Sequence, residues 1–433
     1  MRKILALVLC FCMLGVTASA MSVEMQVGKN TVSSFNPDDG HVIKRQEIET
    51  APFTVNGRTL VPVRVIAENF GAQVDWDDTT QTATISTEAV NIALTIGSNL
   101  ATVNGESVTL DVAAIEQNGR TLVPLRFITE TFGYTVKYLP STQQILITDS
   151  PVVMRSKYSV VTLEEVKLLY DLMHENRIPT PESGATEAEI AILEKQLVDE
   201  IVFFYSQCLP LYDALIYAHG GFSADAVKAI QADVATFEPY DVVYGALPSV
   251  YAFFLEMMAA SIDISSNAES IIGAEALQKI YEEYYLCAKH ILIPTVDLQS
   301  GAALSEEEVL AAQKLAQDLC AQLADGADFD ALMQEYSQDG CLEANPDGYV
   351  FTAGEMVDEF YNGVIALQVG EISAPVQSMF GYHIIKRMPL PAMGVEQYEL
   401  CKTIAIGIWA QDVMEKNPVE LLMPMETLVE YLM

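Results

Sequence analysis

Positive charge is scarce in this chain. Against 59 aspartates and glutamates stand 23 lysines and arginines, a formal net charge of −36. A surface this acidic repels phosphate backbones, which excludes nucleic acid as a partner. The acidity covers the middle and C-terminal parts of the chain instead of forming one tail. It reads as a solvated surface, with attraction to cationic clients or wall-bound cations as the sharper reading. Cysteine is also sparse, at seven. Cys10 and Cys12 lie in an N-terminal apolar run, and Cys208, Cys287, Cys320, Cys341 and Cys401 stand at no metal-like spacing. Neither a disulfide framework nor a zinc site is implied. Long apolar runs are lacking too, since the run over residues 4–16 is too short to span a bilayer comfortably.

That run follows Arg2 and Lys3 and precedes Ala18-Ser19-Ala20. Residues 1–20 therefore read as a secretory signal peptide cleaved after Ala20, with an uncleaved anchor as the alternative. Neither cysteine sits at the cleavage boundary, so neither looks lipid-modified. The expected location is extracellular or in the cell envelope. The remaining length suits about three domains, and 51% hydrophobic residues is ample for real cores.

An internal repeat occupies residues 26–150. Asn56-Gly57-Arg58-Thr59-Leu60-Val61-Pro62-Val63-Arg64 recurs, 62 residues on, as Asn118-Gly119-Arg120-Thr121-Leu122-Val123-Pro124-Leu125-Arg126. Asn-Gly supplies a tight hairpin turn, and the proline ends the strand and admits a helix that closes on Phe70-Gly71 or Phe132-Gly133. Each copy predicts a β-hairpin, a short helix and a second hairpin. This duplicated motif resembles the copper amine oxidase-like N-terminal domain of many secreted bacterial proteins. The resemblance implies a stalk lying apart from copper chemistry, and with His41 the only histidine of the region the ligands for copper are lacking. Spacing or surface attachment, with the cell wall as a partner, is the expected role. Arg64 and Arg126 read as structural members of a repeated fold, with ligand binding as the alternative.

From about Ser159 to Tyr285 apolar residues recur at three and four spacing. Helices are predicted over Leu163–His174, Glu187–Gln207, Ala224–Ala235, Tyr240–Ser261 and Glu275–Leu286, broken at Pro179–Gly184, Cys208-Leu209-Pro210 and Gly220-Gly221. A last amphipathic helix is expected over Val395–Glu415, burying Leu400, Ile404, Ile408 and Val413. The aromatic stretches Ile201–Tyr205 and Val250–Leu255 read as helix core, with a cleft for unfolded chains as the functional alternative.

Two short β-forming runs, Ala288-Lys289-His290-Ile291-Leu292-Ile293 and Tyr382-His383-Ile384-Ile385, each carry one histidine. They suit central strands lying side by side, where a histidine is unexpected unless hydrogen-bonded or functional. Between them come a predicted helix over Ser305–Ala324 and the pieces Gly354-Glu355-Met356, Phe360, Val369-Gly370-Glu371-Ile372-Ser373 and Pro375-Val376. In that order the pieces resemble the parvulin family of peptidyl-prolyl isomerases. The expected fold class is thus multidomain α+β. It joins the duplicated hairpin/helix module to a helical chaperone-like region over 159–285, completed by 391–433, and a parvulin domain with an antiparallel sheet over 286–390.

The resemblance implies a secreted prolyl isomerase and foldase. Its partners would be unfolded or newly exported polypeptides with X-Pro bonds, and it would need no cofactor and no metal. His290 and His383 match the family's paired histidines, with Asp339 and Ser378 as further catalytic candidates. Met356 and Phe360 would hold the proline ring, their spacing of four placing both on one face of a helical turn. The family's Gly-Gly-Asp-Leu-Gly is here Asn345-Pro346-Asp347-Gly348-Tyr349, which leaves Tyr349 as an apolar wall. The loop over residues 295–304 holds no lysine or arginine, so a phosphate-selecting site is disfavoured. The alternative from another class is a non-catalytic holdase or wall-attached interaction protein.

Overall fold

The computed structural model describes residues 22–35, 42–236 and 248–432. The expected signal peptide, His41 and the start of the helix expected from Tyr240 lie outside the described residues. The fold is multidomain α+β, and the chain divides into two compact units. One comprises the residues up to Ser266 with those from Ala410 onward, and the other is Asn267–Trp409.

The first unit opens with β1 (Ser22–Gln26), β2 (Thr31–Phe35) and β3 (Val42–Glu47). The first repeat follows as β4 (Phe53–Val55), β5 (Arg58–Pro62), α1 (Val63–Asn69), β6 (Gln73–Asp77) and β7 (Thr82–Ser86). After β8 (Asn91–Thr95), β9 (Leu100–Val103) and β10 (Glu106–Thr109), the second repeat is β11 (Ile115–Gln117), β12 (Arg120–Pro124), α2 (Leu125–Thr131), β13 (Thr135–Leu139) and β14 (Gln144–Thr148). Both Asn-Gly turns have positive φ at both residues, 49° and 72° in the first and 54° and 70° in the second. That is the geometry of a two-residue hairpin whose twist matches its strands.

The repeats meet at β5 and β12, which pair antiparallel with Val61 opposite Val123. Equivalent residues then face one another. Phe70 and Phe132 lie 5.8 Å apart. Arg58 reaches Asp111 and Arg120 reaches Glu49, each at 2.7 Å and at positions one repeat apart. Val61, Ile66 and Ile85 join Val123, Ile128 and Ile147 in one core. A single copy would leave half of that core in water, so duplication completes it. The ion pairs of Arg64 and Arg126 are exposed ones, made one helical turn along to Glu68 and Glu130.

The same unit continues through β15 (Val152–Arg155), β16 (Val160–Thr162), α3 (Leu163–Arg177), α4 (Glu187–Ala218), α5 (Ala224–Val234) and α6 (Pro248–Ser266). The helices are not a separate body, because Phe35 and Leu146 of the strands share a core with Leu168 and Val250. The expected break at Cys208-Leu209-Pro210 is absent, and α4 runs through Pro210. Leu197, Ile201, Tyr205 and Leu209 continue into Tyr212 and Leu215 as one buried stripe. Packing along that stripe outweighs the hydrogen bond a proline removes. Of the aromatic stretches, Ile201, Tyr205, Val250 and Phe253 are core, while Phe203 is 66% exposed.

The second unit holds α7 (Ala268–Ile272), α8 (Ala274–Tyr284), β17 (Leu286–Pro294), α9 (Glu306–Ala324), α10 (Phe329–Tyr336), β18 (Tyr349–Phe351), α11 (Asp358–Ile365), β19 (Val376–Gln377) and β20 (Gly381–Met388), then most of α12 (Val395–Lys416). Its sheet runs β18-β17-β20-β19. Ile291, Ile293 and Ile384 point to one face and pack on α9 and α10 through Ala316, Leu319 and Phe329. Leu286, Ala288 and Ile385 point to the other and meet Phe351, Phe360 and Val364. The period of two therefore sends alternate residues of one apolar run into two cores.

Two expectations are corrected here. Val413 is buried and Ile404 packs on the core as expected, but Leu400 and Ile408 of α12 are exposed, and Cys401 and Ala405 are buried in their place. These residues share a core with Leu277, Ile280 and Tyr281 of α8. That shared core gives both α8 and α12 up to Trp409 to the second unit, whereas the helical region was expected to hold them.

Candidate active site

β17 and β20 pair antiparallel with His290 opposite Ile385 and Leu292 opposite His383. Opposed residues share a face, and so do residues two apart, so both imidazoles emerge on one side of the sheet. Their Nδ1 atoms lie 3.0 Å apart and the rings are stacked at 5.1 Å. Both side chains are buried.

From this pair a continuous hydrogen-bonded line runs in both directions. His290 Nε2 lies 3.0 Å from Asp339 Oδ2, and Ser378 Oγ lies 2.7 Å from His383 Nε2. The Tyr349 hydroxyl donates to the same Asp339 oxygen, while the Cys341 amide donates to Asp339 Oδ1 at 3.1 Å. The Phe380 amide donates to Ser378 Oγ at 3.1 Å.

Charge fixes the direction of the line at its Asp339 end. The hydrogen bond from His290, aided by that from Tyr349, holds the Asp339 carboxyl down to about 2 against the effect of burial. Burial and the neighbouring His290 bring the His383 imidazole down to about 4. An ionised carboxylate only accepts, so the Nε2 of His290 carries the proton that points at Asp339. When both rings are neutral, His290 Nδ1 accepts from His383 Nδ1–H, and His383 Nε2 accepts from the Ser378 hydroxyl. Ser378, His383, His290 and Asp339 thus form one oriented relay that Tyr349 closes from the far side.

Aromatic rings frame the relay. Phe360 presents its edge to both imidazoles, at 5.0 Å from His290 and 5.4 Å from His383. Phe351 stands 5.8 Å behind it. Met356 is partly buried against the same core. It does not share a helical turn with Phe360, because α11 starts at Asp358 with Val357 as its N-cap. Met356 lies in the turn ahead of the helix, where Gly354 has φ +87°. Tyr349 also departs from expectation. Its ring is edge-on to His290 at 5.7 Å, but its phenol is committed to Asp339, so it is a polar anchor as well as a wall.

Two glycines make the approach possible. Gly348 has φ +104°, and a Cβ there would meet Ala288 O at 2.9 Å. At Gly381 a Cβ would lie 2.2 Å from Ile293 O. The seven residues singled out in the sequence lie together around this line. Sequence reasoning missed Phe351, which reads as an ordinary strand residue, and the Tyr349–Asp339 contact, because a phenol's partner is set by tertiary structure.

Comparison with known proteins gives two family matches. Residues 42–147 match the copper amine oxidase N-terminal domain. Residues 276–388 match the PPIC-type PPIase domain. Among curated relatives, the foldase protein PrsA of Oceanobacillus iheyensis is 38% identical over 140 residues, covering 32% of this chain and 39% of that protein. The foldase protein PrsA of Caldanaerobacter subterraneus is 37% identical over 118 residues, covering 26% of this chain and 33% of its own. This chain therefore spans well under half the length of these relatives. A solved structure of the peptidylprolyl isomerase PrsA from Bacillus anthracis is 20% identical and covers 53% of this chain and 94% of its own, with a TM-score of 0.21.

Proposed function

From a chain that joins a PPIC-type PPIase domain to a copper amine oxidase N-terminal domain, we propose a secreted peptidyl-prolyl cis-trans isomerase and foldase. It acts on proline bonds of exported polypeptides and is not phospho-specific. The single observation that carries this reading is the oriented line from Ser378 through His383 and His290 to Asp339, set over the Phe360 ring. Residues 286–390 are the catalytic domain in this reading, and the helical region from 159 holds client chains. The repeat module over 26–150 serves for spacing or attachment at the cell wall, and residues 1–20 direct export.

The chemistry needs no nucleophile. An X-Pro amide resists twisting with a barrier of about 20 kcal/mol, and no bond is broken when it turns. A catalyst has to hold the ring and favour the twisted amide over both planar forms. Met356 and Phe360 offer the apolar contact for the ring. The relay supplies fixed dipoles beside the amide, and fixed dipoles need no reorganisation as its charge distribution changes. Because the His383 ring is neutral at ordinary pH, the relay keeps one tautomer while the substrate turns. The residues of the loop over 295–304 include Asp297 and no cation, so a phosphoserine before proline has no partner there.

The test is isomerisation of a tetrapeptide series Xaa-Pro by the full chain alongside Met356→Ala. Acceleration that the substitution abolishes supports the reading. Absence of acceleration for every Xaa, from folded protein, transfers it to a holdase that keeps the fold only for binding.

A further inference from the structure

The internal repeat places two equivalent surfaces on the first unit, and among the described residues the helices pack on the second. In the second copy, β13 is covered by the chain's own helices. Lys137 is ion-paired with Glu165 of α3 and lies over the Phe253 ring of α6 at 3.9 Å, and the Ser141 amide donates to Glu256 at 2.9 Å. One repeat earlier, β6 carries Asp75 and Asp77 where β13 has Lys137 and Leu139, and both aspartates are exposed. The first copy has been re-lined for solvent and left open.

Beside β6 the structure has a groove of about 390 Å³. That is within the range of small-molecule clefts. Val63, Val74 and Ala83 contribute its apolar lining. Trp76 stands at its wall, 37% exposed, with its indole N–H tied to Asp78 Oδ1 at 2.5 Å. The tether consumes the polar end of the indole and fixes its plane, which leaves a preoriented apolar face. The polar lining is mixed in sign, with Arg64 and Arg120 as donors, Asp75, Asp78 and Glu116 as acceptors and Gln81 as both.

We propose that this groove binds a neutral saccharide chain, with one sugar ring seated on Trp76. A ligand whose groups both donate and accept satisfies such a rim. An anion meets Asp75, Asp78 and Glu116, and a cation meets two arginines. A sugar offers hydroxyls to the rim and a face of C–H groups to the indole and the apolar lining. Arg120 keeps free N–H groups after its contact with Glu49, since a guanidinium has five donors. The site gives the attachment role of the repeat module a defined ligand class. It is independent of the isomerase reading, because a peptide assay and a saccharide titration succeed or fail separately.

The chain has two tryptophans, so Trp409→Phe leaves Trp76 as the sole indole reporter. Full-length Trp409→Phe protein is titrated with chitotetraose and cellotetraose by fluorescence, and the wild-type protein by calorimetry. Sulfated oligosaccharide, oligolysine and a proline-rich peptide serve as competing probes. Saturable binding of a neutral tetrasaccharide is expected, weakened at least about tenfold by Trp76→Ala. Glu116→Ala, at an exposed rim position, is expected to weaken it several-fold and decides the matter should Trp76→Ala misfold. No binding of either neutral saccharide, unchanged affinity in folded Trp76→Ala or Glu116→Ala, or binding of a charged or proline-rich probe alone overturns the proposal.

Discussion

The direction of the hydrogen-bonded line makes each of its members separately testable. Protonating His383 would reverse its Nε2 from acceptor to donor and break the contact with Ser378 as oriented. With that imidazole held down to about 4 by burial, the neutral ring persists until the pH falls through that value. The His383 contribution to isomerisation is therefore expected to be lost only as the pH falls toward 4, whereas an unperturbed histidine would titrate near 6.5. A His383 ring that titrates near 6.5 when followed by NMR would contradict the assignment. Tyr349→Phe removes one of three donors to Asp339 and leaves the ring in place. The expected loss is a factor of about 10 in kcat/KM, the worth of roughly 1.5 kcal/mol for one hydrogen bond to a charged group that keeps its other partners. Loss comparable to that of His290→Ala would instead make the phenol a principal catalytic group. The two histidines were legible in sequence because a polar residue in an apolar run needs a reason. The phenol was not, since it is placed by the close approach of β18 to β17 at Gly348.

At the scale of elements, the site depends on how closely β17 and β20 can run. Gly381 opens β20 at φ +147°, and any Cβ there would press into the carbonyl of Ile293. Gly381→Ala is expected to cost about 2 kcal/mol or more and to lower isomerisation with it, read as the urea midpoint of the second unit beside the peptide assay. A second element-level prediction concerns the start of α3. Glu165 there is both capping-box residue and partner of Lys137, while Glu164 beside it accepts from Ser22 and Thr148 and leaves Oε2 buried without a hydrogen bond. Burial, then the Glu165 carboxylate, push the Glu164 carboxyl up to about 7. A raised acid binds its proton more tightly folded than unfolded. Its favourable contribution is full below its ordinary value near 4.5 and is lost as pH rises through about 7. Glu164→Gln should therefore stabilise the first unit relative to wild type by roughly 1–2 kcal/mol at pH 8, with the gap closing toward pH 5. A pH-independent difference in urea midpoint would show that the carboxyl is ionised throughout. Boundaries of such elements were read well where a cap marks them, as at Ser305 and Thr186, whose side chains accept from Glu308 and Glu189 amides. They were misread at Pro210 and along α12, where long-range packing, not local pattern, decides which side is buried.

For the whole molecule, the sequence showed the repeat and the isomerase domain because each rests on local signals, Asn-Gly turns in one and ordered short motifs in the other. It concealed the union of module and helices, which is made by contacts far apart in the chain. Glu24 on β1 accepts from the Ser249 amide at the head of α6, and Glu256 accepts from Ser141 and Tyr212. Such buried contacts tie the repeat module and helices into one body, while the relay and its aromatic frame lie entirely in the other. If client holding belongs to the helical region, the two activities have separate residues and separate folding units. His290→Ala is then expected to lower isomerisation by about two orders of magnitude, on the scale of losing a preorganised donor, and to leave suppression of client aggregation within about twofold. The measurement pairs a tetrapeptide assay with light scattering of an unfolded client, on protein whose circular dichroism matches wild type. Equal loss of both would place client holding at the relay itself, and the helices would then have no part in the chaperone activity proposed for them.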